Sequence, residues 1–255
     1  MTLLPSKLLS VYPHISAHFT TRHGGISNPP YGTFNLAFHV GDQDQDVYEN
    51  HRLLSQVLNY DHKQLVHMRQ IHSDIILTVS ETMNFDSPPQ CDALITNRTD
   101  TPIMVMSADC TPILLYDPAN HAIGVVHAGR AGALNGILPK TIDAMKKNYG
   151  TATSDIKISF GPSIHGCCYE INKSIASEVV LQGYTGALIH RKEKVFLNVN
   201  TILHLQLKTL GIAAEQIEEA MECTSCNAND YFSYRADAQN TGRIAGVIVL
   251  RPLPV

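Results

Sequence analysis

Apolar residues recur at helical spacing near the start of the chain, between Asp46 and Leu58. Such a stripe packs one face of an amphipathic helix on a core. The segment therefore predicts a structural helix. The apolar positions are Val47, Leu53, Leu54, Val57 and Leu58.

Three short apolar runs follow in the middle of the chain, at Pro102–Ser107, Pro112–Tyr116 and Ala122–Val126. Turn residues such as Asp117-Pro118-Ala119-Asn120 separate them. Runs of this length between turns are typical of strands buried on both faces. Further strands are predicted at 157–160 and 244–250.

The rest of the chain contains a glycine-rich turn and segments with apolar residues at helical spacing. Three glycines follow His127, and apolar residues then recur at helical spacing up to Lys147. Pro139 is expected in the opening turn of that helix, because deeper inside it would remove a hydrogen bond. Two more helices are predicted, at 174–181 and 201–210. The pattern predicts a mixed α and β protein without fixing the strand order.

Composition limits the possible partners. The 255 residues are 44% hydrophobic and 16% charged, which is enough to bury one large core. No repeat or low-complexity tract divides the chain, so we expect a single domain over residues 1–255. The formal charge of −4 leaves no basic footprint, which argues against nucleic acid or an anionic membrane as the main partner. We expect a small-molecule ligand.

The N-terminal segment shows only short apolar stretches, broken by Pro5 and Pro13, so we expect no secretory signal. No stretch reaches the roughly 18 apolar residues of a membrane span. A cytoplasmic location is the prediction. In a reducing compartment the six cysteines are expected to be metal ligands, nucleophiles or core residues.

Three segments each place one metal-binding residue type at or near the end of an apolar run. They carry His72, Cys110 and His127. Two imidazoles and one thiolate can hold zinc with its fourth position open, which is typical of a catalytic site. An inert buried cysteine and a hydrogen-bonding histidine remain open as alternatives. The pattern favours an enzyme.

The remaining cysteines and arginines give weaker signals. Cys223 and Cys226 form half of a zinc-ribbon pattern, but no second CxxC exists. The vicinal pair Cys167-Cys168 is poor geometry for sharing a tetrahedral ion, so no structural zinc is predicted. Arg22, and the arginines of Tyr234-Arg235-Ala236-Asp237 and Thr241-Gly242-Arg243, could contact an anion or form structural ion pairs.

Ordered motifs along almost the whole chain resemble a known family. The chain is similar to the multicopper polyphenol oxidase or laccase-domain proteins, now described as purine nucleoside phosphorylases with adenosine deaminase activity. The motifs are Thr21-Arg22-His23-Gly24-Gly25-Ile26-Ser27, Asn35-Leu36, Gln70-Ile71-His72, Asp92-Ala93-Leu94-Ile95-Thr96, Ala108-Asp109-Cys110, His127-Ala128-Gly129, Gly161-Pro162-Ser163-Ile164, Cys168-Tyr169-Glu170 and Phe232-Ser233-Tyr234-Arg235.

The resemblance implies an α+β domain of four layers, α/β/β/α, with mixed sheets and a likeness to cysteine hydrolases. It implies that His72, Cys110 and His127 are zinc ligands, with copper as the other candidate ion. It also implies that Arg22, Asn35 and Arg235 line a site for a purine nucleoside and phosphate. We expect phosphorolysis of adenosine, inosine or guanosine, deamination of adenosine, and a monomer or homodimer.

One departure concerns the residues after the third ligand. The family run is His-Ala-Gly-Trp-Arg-Gly, whereas Arg130 and Ala131 stand here before Gly132. The positive charge has moved by one residue, so Arg130 either substitutes from another angle or phosphorolysis is weakened. His165 is a further candidate for the pocket.

Zinc in such a site lowers the pKa of bound water toward about 7, which suits deamination at C6 of adenosine. Phosphorolysis instead needs a held phosphate and stabilisation of the departing base. Two other functions remain open. One is a copper polyphenol oxidase, which fits poorly because none of the 13 histidines forms a His-x-His pair. The other is a metal-free hydrolase of amides such as cell-wall peptides, with Cys110 as nucleophile and His127 as base.

Overall fold

The computed structural model of the protein describes residues 1–253. Thirteen strands lie within them, β1 to β13: Leu3–Pro5, Ile15–Thr20, Ile76–Thr78, Ala93–Thr96, Ile103–Ser107, Thr111–Asp117, Ala122–Ala128, Lys157–Phe160, Glu170–Ile171, Leu188–Arg191, Lys194–Leu197, Ile217–Glu219 and Ile244–Leu250. The same residues contain five α-helices, α1 to α5: Asp44–Leu58, Arg130–Leu134, Ile137–Tyr149, Lys173–Leu181 and Val199–Thr209.

Two large sheets contain most of the strands. The first has four antiparallel strands in the order β1-β2-β13-β5, so strands from both ends of the chain pair with each other. The second has six strands in the order β12-β8-β6-β7-β4-β3 and is mixed, because its two outer pairs are parallel. A small sheet, β10-β11-β9, flanks them.

Alternation along the strands shows how the layers stack. In β13, Val247 and Val249 pack in the cluster that contains Leu54 of α1, whereas Ile248 packs with Leu114 of the second sheet. The first sheet therefore has α1 on one face and the second sheet on the other.

The second sheet is covered in the same way. Ile113 and Leu115 of β6 share a cluster with Ile142 of α3 and Leu203 of α5, while Leu114 between them points to the first sheet. The chain is thus a single-domain α+β protein with layers in the order α/β/β/α, as the resemblance implies.

Most predicted elements form within a residue or two of their expected bounds. The first helix begins at Asp44 rather than Asp46, and Pro139 is the third residue of α3, in its opening turn. The strand predicted to end at Val126 continues to Ala128, because its pairing with β6 extends through His127 and Pro112. His127 therefore lies inside a strand and not after it.

The connection from β5 to β6 passes from the first sheet to the second. Cys110 is the last residue of that connection, and His127 lies on the neighbouring strand β7, opposite Pro112. The crossing point of the two sheets thus brings two predicted site residues together. No helix in residues 1–253 has the length and apolar character needed to cross a membrane.

Candidate active site

His72, Cys110 and His127 converge as the sequence predicts. Their ligand atoms, two ring nitrogens and one sulfur, all lie within 4.8 Å of one another. The Sγ atom of Cys110 is 4.0 Å from Nε2 of His72. His72 lies in a turn, Cys110 in the crossover between the two sheets, and His127 in a buried strand. The cluster therefore depends on the tertiary fold.

The turn that carries His72 is fixed at both sides. The Gln70 amide pairs with the backbone of β5, since its Nε2 donates to the carbonyl oxygen of Met106 at 2.7 Å and its Oε1 accepts from the Met106 N–H at 2.8 Å. The next residues bend back, with His72 in the left-handed region at φ 58°. Asp92 accepts from the backbone N–H groups of His72 at 3.1 Å and Ser73 at 2.7 Å, which stabilises this bend.

The same carboxylate orients His127. The Nδ1 atom of His127 lies 2.8 Å from Oδ1 of Asp92, which leaves Nε2 free for the cluster. Burial raises the pKa of Asp92, but hydrogen bonds from His127 and Ser73 outweigh it, and the pKa falls to about 2. Asp92 is therefore an acceptor for both histidine segments, in the position of the carboxylate that typically supports a metal-bound imidazole.

Cys110 is positioned through its neighbour Asp109, which has a left-handed φ of 88°. The Asp109 carboxylate accepts from Thr224 Oγ1, from Ser233 Oγ and from the Arg235 N–H, each at 2.7 Å. These three donors lie more than a hundred residues further along the chain. The C-terminal segment thus holds the thiol of Cys110 in place.

Cys110 and His127 shift each other's pKa values. Burial raises the pKa of the Cys110 thiol, but His127 and His72 more than offset it, and the pKa falls to about 6. Burial lowers the pKa of His127, but Cys110 and Asp92 outweigh it and raise the pKa to about 9. A thiolate beside imidazole is both a soft donor set for zinc or copper and a nucleophile–base pair.

These side chains open into a cavity of about 480 Å³, within the size range of small-molecule sites. The guanidinium groups of Arg130, Arg235 and Arg243 line it together with the rings of Tyr169 and Tyr234. A cavity with cationic and aromatic walls suits a ligand that has an anionic part and a flat part.

The three arginines differ in how they are held. The Arg130 guanidinium pairs with Glu178 of α4 at 2.9 Å. The Arg235 guanidinium lies 5.3 Å from the ring centre of Tyr169 and donates to two backbone carbonyl oxygens at 3.1 and 3.3 Å. Arg243 also donates to two backbone carbonyl oxygens, at 2.9 Å each. Arg235 and Arg243 are therefore held by backbone carbonyl oxygens, whereas Arg130 is held by a carboxylate.

Three other predicted residues do not line this cavity. The Arg22 guanidinium donates to the Ala228 carbonyl oxygen at 2.5 Å and stacks 4.7 Å from the centre of the Phe232 ring. Asn35 is fully buried, and its Oδ1 accepts from the backbone N–H of Arg243 at 2.9 Å. The backbone N–H of His165 donates to the sulfur of Cys223, outside the cavity. A substrate role for Arg22, Asn35 and His165 stays a prediction.

Sequence reasoning gave Asp92 no role in the site, and it left Arg243 open between an anion contact and a structural ion pair. Asp92 supports both histidine segments, and Arg243 lines the cavity. The only local signal for Asp92 is a charge directly before a buried apolar run. Its partner His127 is 35 positions away, and no spacing rule connects them.

The structure brings together the remaining cysteines, for which the sequence predicts no structural zinc. The sulfur atoms of Cys167, Cys168, Cys223 and Cys226 lie within 4.8 Å of one another. The vicinal pair sits in a turn, where the Cys168 N–H donates to the His165 carbonyl oxygen at 3.0 Å. This turn directs both sulfurs to Cys226, so a second CxxC is not required.

Comparison with known proteins finds one matching family and several related proteins. The family model described as multi-copper polyphenol oxidoreductase laccase matches residues 16–251. A purine nucleoside phosphorylase of Corynebacterium glutamicum is 36% identical over 91% of this chain and 93% of its own length. A purine nucleoside phosphorylase of Bacillus subtilis, YlmD, is 28% identical over 93% of this chain and 89% of its own length.

Solved structures agree over nearly the whole chain. The hypothetical protein YfiH of Bacillus licheniformis superposes with a TM-score of 0.92 at 30% identity, covering 98% of this chain and 97% of its own. YlmD of Geobacillus stearothermophilus gives a TM-score of 0.92 at 27% identity, covering 99% of this chain and 97% of its own. The fold is therefore shared with both.

Proposed function

The chain belongs to the multi-copper polyphenol oxidoreductase laccase family, and we propose that it is a purine nucleoside phosphorylase. Its relatives with that name support an enzyme acting on a purine nucleoside and phosphate. One observation of this chain carries the proposal. A single cavity holds a His₂Cys cluster, three guanidinium groups and two tyrosine rings.

Phosphorolysis needs an anion close to the sugar carbon from which the base departs, while positive charge develops on the sugar. Arg130, Arg235 and Arg243 are the groups of the cavity suited to binding phosphate, because guanidinium binds phosphate oxygens in a bidentate way. Tyr169 and Tyr234 offer rings against which a purine can pack. One cavity thus offers groups for both phosphate and nucleoside, with the Arg235 guanidinium 5.3 Å from the centre of the Tyr169 ring.

The donor set fits a catalytic zinc ion. His72, Cys110 and His127 would hold it, and Asp92 would orient the His127 ring from behind. A zinc ion held there would supply Lewis acidity to the bound substrate. Copper is the other candidate, since it exceeds zinc in intrinsic affinity for such donors.

Deamination of adenosine is the second activity of the proposal. Three protein donors within 4.8 Å, rather than four, leave room at the cluster for a substrate atom. The cavity volume of about 480 Å³ can hold a nucleoside with a water molecule beside C6. Conversion of adenosine to inosine in phosphate-free buffer, followed by chromatography, tests this activity separately from phosphorolysis.

The test of the main activity uses inosine with and without phosphate. We expect release of the base to require phosphate and to be lost in Cys110→Ala. Cys91→Ala is the matched control, because Cys91 is a buried cysteine that belongs neither to the His₂Cys cluster nor to the group of Cys167, Cys168, Cys223 and Cys226. Release of the base at equal rates without phosphate would contradict phosphorolysis.

A metal-free cysteine hydrolase is the second candidate function. The arrangement Cys110, His127 and Asp92 favours it, since the 2.8 Å contact between His127 and Asp92 orients the base. Two results together would support it: alkylation of Cys110 by iodoacetamide abolishes amide hydrolysis, and unalkylated protein keeps full hydrolysis after exhaustive chelation. A copper oxidase would instead lose phenol oxidation on copper chelation while nucleoside activity persists.

A further inference from the structure

Four cysteines lie together outside the cavity, at Cys167, Cys168, Cys223 and Cys226. None of them lines the cavity, so the proposed function leaves them without a role. They come from two segments, one between β8 and β9 and one between β12 and β13. We call this group the four-cysteine cluster.

We propose that the four-cysteine cluster binds a structural zinc ion through four thiolates. Tetrahedral zinc with a Zn–S distance of about 2.3 Å sets its sulfurs about 3.8 Å apart. The sulfur of Cys226 is 3.3 Å from that of Cys168 and 3.6 Å from that of Cys167. All four sulfurs lie within 4.8 Å of one another, so only small side-chain rotations are needed to reach this spacing.

The spacing favours a metal ion over a disulfide. A disulfide joins two sulfurs at about 2.05 Å and leaves the others unused. Here Cys226 is nearly equidistant from Cys167 and Cys168, as expected for ligands around one common centre. A zinc ion uses all four sulfurs and needs no oxidant.

The backbone around the cluster forms a turn suited to metal binding. The carbonyl oxygen of Cys223 accepts from the backbone N–H of Asn227 at 3.0 Å and from its Nδ2 at 2.9 Å, which closes the CxxC turn. The sulfur of Cys223 accepts the backbone N–H of His165 at 3.4 Å. Such N–H donors stabilise a thiolate.

The charge of the site is also compensated. Binding Zn²⁺ releases four protons to solvent and leaves a centre of charge −2. The Arg191 guanidinium donates to the carbonyl oxygen of Cys167 at 3.1 Å, and that of Arg235 donates to the carbonyl oxygen of Cys168 at 3.3 Å. Two cations therefore lie beside the two residues that bring adjacent thiolates together.

The cluster connects the segments that build the cavity wall. Tyr169, which follows Cys168, lines the cavity. Thr224, which follows Cys223, donates to Asp109 beside Cys110 at 2.7 Å. A zinc ion in the four-cysteine cluster would hold these two segments together and so position the wall, without contacting substrate.

Metal content of the full-length protein tests the proposal, in a background that disables the cavity cluster. Purified Cys110→Ser protein is expected to keep one tightly bound zinc per chain by mass spectrometry of the metals. Cys110→Ser with Cys226→Ser is expected to lose it, while Cys110→Ser with Cys91→Ser keeps it. This readout does not depend on nucleoside activity, so its outcome is independent of the proposed function.

Cobalt gives a second measurement that needs no folded double variant. Cys110→Ser protein loaded with Co²⁺ is expected to show the intense thiolate-to-metal absorption of a tetrahedral tetrathiolate site. The proposal is overturned if Cys110→Ser protein holds no zinc and no such absorption develops. It is also overturned if alkylation under non-reducing, denaturing conditions finds these four cysteines paired as disulfides.

Discussion

At the scale of single residues, Asp92 supports two parts of the site, because its carboxylate holds both the turn of His72 and the ring of His127. Asp92→Asn removes the charge and turns one acceptor into a donor. Loss of such a supporting carboxylate typically costs 10- to 100-fold in metal affinity. We expect a metal dissociation constant about 10- to 100-fold higher, measured by competition with a chromophoric chelator.

The matched control for this variant is Asp117→Asn. Asp117 is equally buried and accepts from backbone N–H groups of a turn, at Ala119 and Asn120, but that turn carries none of the three cluster residues. It is expected to lower stability without changing metal affinity. Equal metal affinity in Asp92→Asn and the unmodified protein would refute the role given to Asp92.

Substitution of Arg130 tests the proposed binding of phosphate in the cavity. One charge-assisted hydrogen bond contributes about 1.5–3 kcal/mol, so Arg130→Ala should raise the KM for phosphate at least about tenfold. The KM for inosine should change little. Initial rates at varied phosphate measure this effect, and Arg98→Ala, which removes a surface arginine paired with Glu81, is the control. An unchanged KM for phosphate would exclude Arg130 from the phosphate site.

The convergence of His72, Cys110 and His127 was predicted from the resemblance, since each residue alone also fitted a structural interpretation. The supporting residues were not predictable in this way. Asp109 is held by donors more than a hundred residues away, and such long-range hydrogen bonds leave no local periodicity in a sequence. Arg22 and Asn35 were predicted as site residues from their motifs, but their side chains form hydrogen bonds within the protein, outside the cavity.

At the scale of elements, the connection between β7 and α2 requires glycine for reasons of space. A Cβ at Gly129 would lie 3.0 Å from Sγ of Cys110 and 3.3 Å from Cδ2 of His72. In Gly129→Ala both side chains must therefore shift by a few tenths of an ångström, which distorts the cluster. We expect it to lose most bound metal and nucleoside activity while the thermal midpoint changes by only a few degrees.

Gly186→Ala is the control for this substitution, because a Cβ there meets nothing within 4 Å. It is expected to keep metal and activity. Metal analysis and circular dichroism on both variants separate a local effect from a global one. Full metal content in Gly129→Ala would show that the cluster tolerates this methyl group.

Helices and strands were predictable because their patterns are local. Strands β5, β6 and β7 are buried on both faces and therefore appear as continuous apolar runs. Helix α1 has apolar residues at helical spacing, which form a clear stripe. Strand order was not predictable, since β13 pairs with β2 across more than two hundred residues. The extension of β7 through His127 also depends on pairing with a neighbouring strand.

At the scale of the whole molecule, buried histidines give the fold an acid-sensitive stability. His51 of α1 is fully buried and donates from Nε2 to the Leu36 carbonyl oxygen at 2.8 Å, and within residues 1–253 its Nδ1 has no hydrogen-bond partner. Burial, with the nearby His67, lowers its pKa to about 3. The ring is therefore neutral in the folded protein throughout the physiological range.

The sign of the effect follows from proton uptake. Below a pH of about 6.5, His51 is protonated in the unfolded chain, whereas in the folded protein it stays neutral down to about pH 3. The free energy of unfolding thus falls with decreasing pH in this window, by about 1.4 kcal/mol per pH unit. Between pH 7 and pH 5 we expect a loss of about 2 kcal/mol from this residue.

His51→Gln keeps a donor for the Leu36 carbonyl oxygen but does not titrate. Urea unfolding at pH 7 and pH 5, with a chelator present, should show a smaller pH-dependent loss than in the unmodified protein, by about 2 kcal/mol. His190→Gln, which changes an exposed histidine, should leave the loss unchanged. Parallel pH profiles for His51→Gln and the unmodified protein would contradict the assignment.

The central claim is that the cavity around His72, Cys110 and His127 transfers a purine nucleoside's sugar to phosphate. Phosphorus NMR of protein incubated with inosine and phosphate tests it most directly. We predict one sugar phosphate formed for each base released, loss of the reaction on chelation, and recovery when zinc is restored. Base release with no sugar phosphate, or full turnover in Cys110→Ala, would contradict the account.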